Sequence, residues 1–163
     1  MFDVYNLYGI YYYVSRRRFV MVRLPRRTIP LLARDIMSTP AITVNENTPL
    51  KEVARIMCEK KIGSVVVIGF DGKIRGIITE RDMTCAAGKE EATLDMPAWE
   101  FMTPDPVTVT PETPVIDVLD KMRDLGVRHI PVVDSEGNPL GMISARDIMA
   151  FVDILMRMFG GRR

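Results

Sequence analysis

A chain of 163 residues with an apolar fraction of 47% can pack one core or two small ones, and it is shorter than the roughly 250 residues that a (β/α)8 barrel takes. Basic and acidic side chains nearly balance, 22 against 21, and no apolar run approaches the roughly 18 residues of a membrane helix, so a soluble chain is expected. The first residues lack the pattern of a secretory signal, which places the expected location in the cytoplasm.

The chain opens on a basic stretch. Residues 1–34 hold Arg16, Arg17, Arg18, Arg23, Arg26, Arg27 and Arg34 against Asp3 alone, a net charge of +6 that leaves −5 for the remainder. Residues 1–32 read as a basic N-terminal arm open to disorder, either solvated or in contact with nucleic acid or an acidic protein surface.

Beyond the arm the chain repeats itself, and the repeat sets the fold class before any single element does. A displacement of 65 positions brings Met37 onto Met102, Thr48 and Pro49 onto Thr113 and Pro114, Val53 onto Val118, Gly76 onto Gly141, and Asp82 onto Asp147, without a gap. The units are residues 33–92 and 93–159, the second with an extended C-terminal helix, and residues 160–163 form a tail.

Each unit reads strand, helix, strand, strand, helix, which makes the fold α+β. The first extended stretches are Ile42–Val44 and Val107–Val109. Thr48 and Thr113 are placed to cap the next helix, with Pro49 and Pro114 at its first position. Leu50, Val53, Ala54 and Met57, and in the second unit Val115, Val118, Leu119 and Met122, recur at three- and four-residue spacing, so one helix face is expected to be buried. The two cysteines, Cys58 and Cys85, form neither a metal-type pair nor a disulfide framework and are expected as small buried hydrophobes. Apolar runs at 65–68 and 130–133 lead through turns at Asp71 with Gly72 and at 135–138 into second strands at 74–78 and 140–143, the pattern of a hairpin. Closing helices begin near Thr79 and Ser144, the second continuing to Phe159 before Gly160 and Gly161. One such unit exposes too much of its sheet to stand alone. The two are expected to pack with pseudo-twofold symmetry, which creates two equivalent clefts.

The strand-to-helix junctions carry the chemistry. Gly76 to Asp82 and Gly141 to Asp147 each contain a glycine, an apolar strand end, a hydroxyl residue (Thr79, Ser144), an arginine (Arg81, Arg146) and an aspartate three positions after the hydroxyl. Unpaired N–H groups and the positive end of a helix dipole suit phosphate there, and an arginine adds charge for phosphate oxygens. An aspartate one turn on can accept two hydrogen bonds from the vicinal diol of a ribose. Hydroxyl-x-x-acid is also an ordinary capping box. Its recurrence at one repeat phase favours a ligand, with capping as a simultaneous role.

These junctions, together with the run Arg128 to Asp134 (RHIPVVD), resemble the cystathionine-β-synthase (CBS) domain pair, or Bateman module, over residues from about 33 to 157, in the stand-alone archaeal or bacterial form. The resemblance implies an adenosyl ligand in the clefts between the repeats: AMP, ADP or ATP, with S-adenosylmethionine a further candidate, and no required cofactor or metal. Asp82 and Asp147 would bind ribose; Thr79, Arg81, Ser144, Arg146, Arg128 and His129 would face phosphate. Backbone at Ala41, Ile42 and Thr43, and at Pro106, Val107 and Thr108, would meet adenine. Gly63, Ser64 and Pro131 would line the cleft. Arg128 and His129 stand opposite Gly63 and Ser64, so the two clefts are expected to differ in phosphate affinity.

The expected role is regulation of a protein partner that the sequence does not identify, without catalysis, because no nucleophile, base and orienting group come together in the pattern. An assembly adaptor is one alternative. The final helix presents Ile148, Met149, Val152, Leu155, Met156 and Phe159 as an apolar stripe, and a homodimer is expected. A nucleic-acid-associated protein using the basic arm is the other, disfavoured by the acidic remainder of the chain.

Overall fold

Alternation of aromatic and β-branched residues builds the first structural unit. A computed structural model describes residues 4–7, 10–15, 18–22, 31–89 and 94–159, the first three of these segments as backbone alone; the side chains of the basic arm, those of Leu155, Met158 and Phe159, and the tail at 160–163 lie outside the described residues. Strands β1 (Val4–Leu7), β2 (Ile10–Ser15) and β3 (Arg18–Val22) pair antiparallel in chain order, with Tyr12 opposite Tyr5 on one side and Met21 on the other. The charge of this segment points to an arm, whereas its Tyr, Val and Ile content is that of strands. Residues 1–30 form one compact unit and residues 31–163 a second.

The second unit contains α1 (Ala33–Ile36), β4 (Thr43–Asn45), α2 (Leu50–Lys60), β5 (Ser64–Ile68), β6 (Ile74–Thr79) and α3 (Glu80–Ala87). A 3₁₀ turn (Ala98–Glu100), β7 (Thr103–Pro104), α4 (Val115–Leu125), β8 (His129–Val133), β9 (Pro139–Ser144) and α5 (Ala145–Phe159) follow. The fold is α+β with two repeats, as the 65-residue displacement requires. In the first repeat the sheet order is β4-β5-β6-β7, parallel between β4 and β5 and antiparallel elsewhere. The second repeat keeps the order around the β8–β9 hairpin but holds its outer members by single bridges, Val109 to Val132 and Ser38 to Met142.

Proline explains why the predicted strand at 107–109 is reduced to a bridge. In the first repeat the Val66 N–H donates to the Ile42 carbonyl at 2.9 Å, tying the start of β4 to β5. The corresponding residue of the second repeat is Pro131, which has no N–H to offer Val107.

Helices α2 and α4 bury Leu50, Val53 and Met57, and Val115, Val118 and Met122, as the spacing predicts. Two expectations fail at their edges. Leu119 is 38% exposed, and Cys58 and Cys85 are both exposed free thiols, because each lies outside the arc that faces the sheet. The caps also differ. Pro49 and Pro114 are the N-cap residues and neither helix has a side-chain cap. The leading N–H groups are taken instead by backbone from another segment: Leu50 donates to Met96 O, Lys51 to Leu94 O and Val115 to Leu31 O. Thr48 and Thr113 are thereby relieved of capping.

Those backbone bonds belong to a reciprocal exchange. The segment leading into the first repeat lies on the second, with Leu32 bridged to Pro114 and Ser38 to Met142; the segment leading into the second lies on the first, with Pro97 bridged to Pro49 and β7 on β6. Ala33 is fully buried among Val109, Val118, Ile130 and Ile143, while Ala98 is fully buried among Val44, Val53, Val65 and Ile78. Each apolar core therefore closes only with a residue supplied from beyond its own repeat.

The crossing passes over two glycines. A Cβ at Gly141 would lie 2.7 Å from Ser38 O and 3.0 Å from the Met37 Sδ, and one at Gly76 would lie 2.9 Å from Thr103 O. Neither carbonyl can move without breaking the pairing it makes. Gly141→Ala should therefore lower stability by about 1–3 kcal/mol, read as a lower Tm by differential scanning calorimetry; an unchanged Tm would mean that the crossing segment is not fixed on β9.

Candidate functional site

Both strand-to-helix junctions close as capping boxes. At the first, the Thr79 N–H and hydroxyl donate to Asp82 Oδ2 at 2.7 and 2.6 Å. At the second, the Ser144 N–H and hydroxyl donate to Asp147 Oδ2 at 2.7 and 2.6 Å, and the Asp147 N–H donates back to Ser144 Oγ at 3.2 Å. The predicted capping role is thus real, and it occupies one carboxylate oxygen at each junction. Asp147 Oδ1 accepts a long bond, 3.4 Å, from Ser38 Oγ. Ser38 escapes the motif reading, although a signal existed: Thr103 carries a hydroxyl at the same repeat phase.

The expected adenine-contacting backbone lies on the segments that cross between the repeats. After leaving β9 at Ser38, the chain passes Ala41, whose N–H donates to Leu140 O at 3.1 Å, and joins β5 at Ile42 and Thr43. It therefore spans from the second repeat to the first beside Asp147. The equivalent passage through Pro106, Val107 and Thr108 leaves β6 at Gly76 and Arg75, where the Asp105 N–H donates to Arg75 O at 3.1 Å, and returns to β8 at Val109. Val107 is 39% exposed.

Arg128 and His129 stand at the start of β8, where His129 pairs with Ser144 and the Ala145 N–H donates to Arg128 O at 2.9 Å. At the equivalent place in the first repeat the Glu80 N–H donates to Gly63 O. The two junctions meet across the repeat boundary: a Cβ at Gly63 would lie 3.3 Å from His129 Nε2 and 3.5 Å from the Glu80 carboxylate carbon. Ser64 is 6% exposed and Pro131 fully buried. Pro131 accordingly packs inside its own repeat and does not line an open cleft, a correction that follows from its place in the middle of β8. Arg81, Arg128 and Arg146 are exposed, while Thr79, Asp82, Ser144 and Asp147 are half-buried.

The surroundings of the two junctions are unequal. Beside Asp147 a hollow of about 240 Å³ is walled by α1 and α5 through Asp35, Ile36, Ala150, Phe151 and Ile154, a largely apolar lining with one aromatic ring. The counterparts of Ile36 and Ile154 in the first repeat are Phe101 and Lys89, and the Lys89 ammonium sits 5.4 Å from the centre of the Phe101 ring, a cation–π contact. A larger hollow of about 530 Å³ is lined by α2 and α3 and reaches Arg146 at the start of α5, one of the expected phosphate-facing residues. Neither hollow touches the expected adenine-contacting residues. Among the described residues no group of three or more His, Cys, Asp or Glu side chains converges as a metal site, and no helix is long and apolar enough to cross a membrane.

With this geometry in place, the comparisons are specific. The family model of the CBS domain matches residues 33–88 and 98–154, the two repeats. The chain belongs to the CBS-domain family. It is 39% identical over 126 residues to a 17.7 kDa protein of Acidianus ambivalens from the region 3′ of bps2, covering 77% of this chain and 76% of that one. It is 30% identical over 139 residues to the L-aspartate semialdehyde sulfurtransferase of Methanocaldococcus jannaschii, covering 85% of this chain but only 25% of the enzyme. Among solved structures, the CBS domain pair of protein MJ0100 in complex with 5′-methylthioadenosine and S-adenosyl-L-methionine superposes with a TM-score of 0.72 at 28% identity, covering 77% of this chain and 98% of that one. The AMP complex of the CBS domain protein PAE2072 from Pyrobaculum aerophilum superposes with a TM-score of 0.71 at 26% identity, covering 80% and 100%.

His129 is the only histidine. Burial, and then the neighbouring Arg128 charge, hold its imidazole below the usual range; Glu80 and Asp147 act in the opposite direction and Arg146 in the same one. Its folded-state pKa is therefore lower than in the unfolded chain, which binds the proton first as the pH falls. Stability should be unaffected by this group above its ordinary pKa and decline as the pH drops through about 6.5. The fall in Tm between pH 7.5 and pH 5.5 should be smaller in His129→Gln than in the wild type; equal falls would show that the imidazole is not desolvated at the junction.

Proposed function

We propose that this chain is a regulatory module that binds an adenosyl ligand in its inter-repeat clefts and carries no catalytic activity of its own. The observation that carries the reading is the half-buried Asp147. Its second carboxylate oxygen accepts the long Ser38 bond from the segment that continues to Ala41 and Thr43, and a largely apolar hollow opens beside it. The AMP and S-adenosylmethionine complexes of similar CBS pairs support an adenine nucleotide or a related adenosyl compound as the ligand.

In this reading Asp147 and Asp82 accept from the ribose diol, and Ser144, Arg146, Arg128 and His129 at one junction, with Thr79 and Arg81 at the other, serve the phosphate. Ile42 and Val107 mark the backbone that meets adenine. The Asp147 cleft fills first, because the apolar hollow and the Arg128 charge both stand on its side, whereas Lys89 on Phe101 occupies the equivalent space in the other. The protein acts as a cytoplasmic homodimer whose ligand state is read by another protein.

For AMP, a ligand of about 23 non-hydrogen atoms, a yield of about −0.3 kcal/mol per atom gives about −7 kcal/mol. That is a dissociation constant on the order of 10 μM. At about 100 times that concentration the fold should gain about 2.7 kcal/mol per site. The test is Asp147→Asn, which preserves an acceptor for the Ser144 N–H while weakening acceptance from the diol. Its unliganded Tm should stay close to that of the wild type while the AMP-induced shift shrinks; GMP should shift the wild type less than AMP. A variant that loses stability and keeps its AMP affinity would make Asp147 a cap and nothing more.

A further inference from the structure

The N-terminal unit concentrates two residue classes in one small sheet. Residues 1–30 hold all five tyrosines of the protein, Tyr5, Tyr8, Tyr11, Tyr12 and Tyr13. They also hold six arginines against Asp3 alone, a net charge of +5, which leaves −4 of the chain's +1 for residues 31–163. The acidic excess that speaks against a nucleic-acid partner for the chain as a whole therefore belongs to the other unit.

Strand register sorts the tyrosines between two faces. Tyr12 pairs with Tyr5 of β1 and Met21 of β3, so these three share a face with the Leu7–Ile10 pair, and no charged residue lies on it. Tyr11 and Tyr13 lie on the opposite face, in register with Asn6 and Val4 on one side and with Val22 and Val20 on the other; the Ser15–Arg18 pair belongs to the same face. The first face is apolar and aromatic in composition, whereas the second sets two aromatic positions among amide, hydroxyl and guanidinium groups.

Tyr11 and Tyr13 are two residues apart on β2, a rise of about 6.8 Å, about twice the roughly 3.4 Å between stacked bases along one strand. A strand with its bases unstacked can offer one base to each position, and every base has a π-face to offer. Positive charge stands at one end of the same face: Arg18 begins β3 opposite Ser15, and Arg16 and Arg17 precede it in the chain between β2 and β3. A duplex keeps its base faces stacked on one another and would offer such a sheet little beyond its phosphates.

From this juxtaposition we infer that the N-terminal sheet binds single-stranded nucleic acid, with Tyr11 and Tyr13 as stacking positions and Arg16, Arg17 and Arg18 as phosphate partners. This activity is additional to the adenosyl ligand of the clefts and does not rest on it.

Fluorescence anisotropy of the full chain with labelled oligouridine and oligothymidine of about twelve nucleotides, and with a duplex of the same length, tests it. Both single strands should bind at least about tenfold more tightly than the duplex, the ratio between them telling RNA from DNA as the source. Tyr11→Val with Tyr13→Val keeps strand-forming residues but removes the rings, and should weaken binding at least about tenfold with its salt dependence unchanged; Tyr11→Phe with Tyr13→Phe should bind like the wild type. Arg16→Gln, Arg17→Gln and Arg18→Gln together should reduce the slope of log affinity against log salt by about two, at about 0.7 per phosphate on a single strand. Because every tyrosine lies in this unit, tyrosine emission in a Trp99→Phe background reports on it with the sheet unaltered, and oligouridine should quench it while inorganic polyphosphate should not. Duplex binding as tight as that of the single strands, a valine pair that binds like the wild type, unquenched emission at saturating oligouridine, or no binding at all would each overturn the inference. So would phosphatidylserine vesicles that bind the chain and displace the oligonucleotide, which would make the sheet a membrane-facing surface instead.

Discussion

The exchange of leading segments between the two repeats is the contact on which the rest of the molecule depends. Each segment contributes a fully buried alanine to the opposite core, caps the opposite helix with backbone carbonyls and extends the opposite sheet. Gly76 and Gly141 permit it, since no side chain fits under the crossing strand. A repeat deprived of its partner would lose a core residue and leave the first N–H groups of α2 or α4 without acceptors, a cost of about 1–3 kcal/mol for each group left buried. The two repeats are therefore one folding unit, and one of the contacts that cross between them, the Ser38 hydroxyl, reaches Asp147.

The same exchange generates the candidate sites. A strand that leaves one sheet and enters the other must run across the boundary, and it does so beside the capping box of the helix that follows. Capping and ligand binding do not compete at this place. The box fixes the aspartate rotamer through Oδ2, leaving Oδ1 oriented for a second partner, and at Asp147 the Ser38 hydroxyl already shows where such a partner approaches. Sequence differences then break the symmetry: Arg128 and His129 replace Gly63 and Ser64, and an apolar hollow replaces the Lys89–Phe101 contact.

Much of this was legible in the sequence because it depends on local pattern. The 65-residue register, the helix faces at Val53 and Val118 and both hydroxyl-x-x-acid junctions follow from spacing alone. What could not be read depends on contacts distant in the chain. Nothing near Thr48 reveals that Met96 and Leu94 carbonyls will do the capping, nor does the sequence around Ala33 say that it belongs to the second core. Pro131 was legible in principle, since a proline at the phase of Val66 removes a donor, but the consequence falls on Val107, 24 residues earlier. Ser38 and Thr103 required the repeat comparison to be carried into the leading segments, which lie outside the helices and strands that define the pattern. The strands at 4–22 are hidden in the sequence because arginines crowd their tyrosines and valines.

The proposed function requires an adenosyl ligand beside Asp147. Native mass spectrometry of the purified protein, desalted and then incubated with millimolar AMP or S-adenosylmethionine, measures this directly. At least one adenosyl ligand per chain should be retained in the folded charge states. Chains that stay bare with both ligands, in protein shown to carry none from its expression host, would contradict the account.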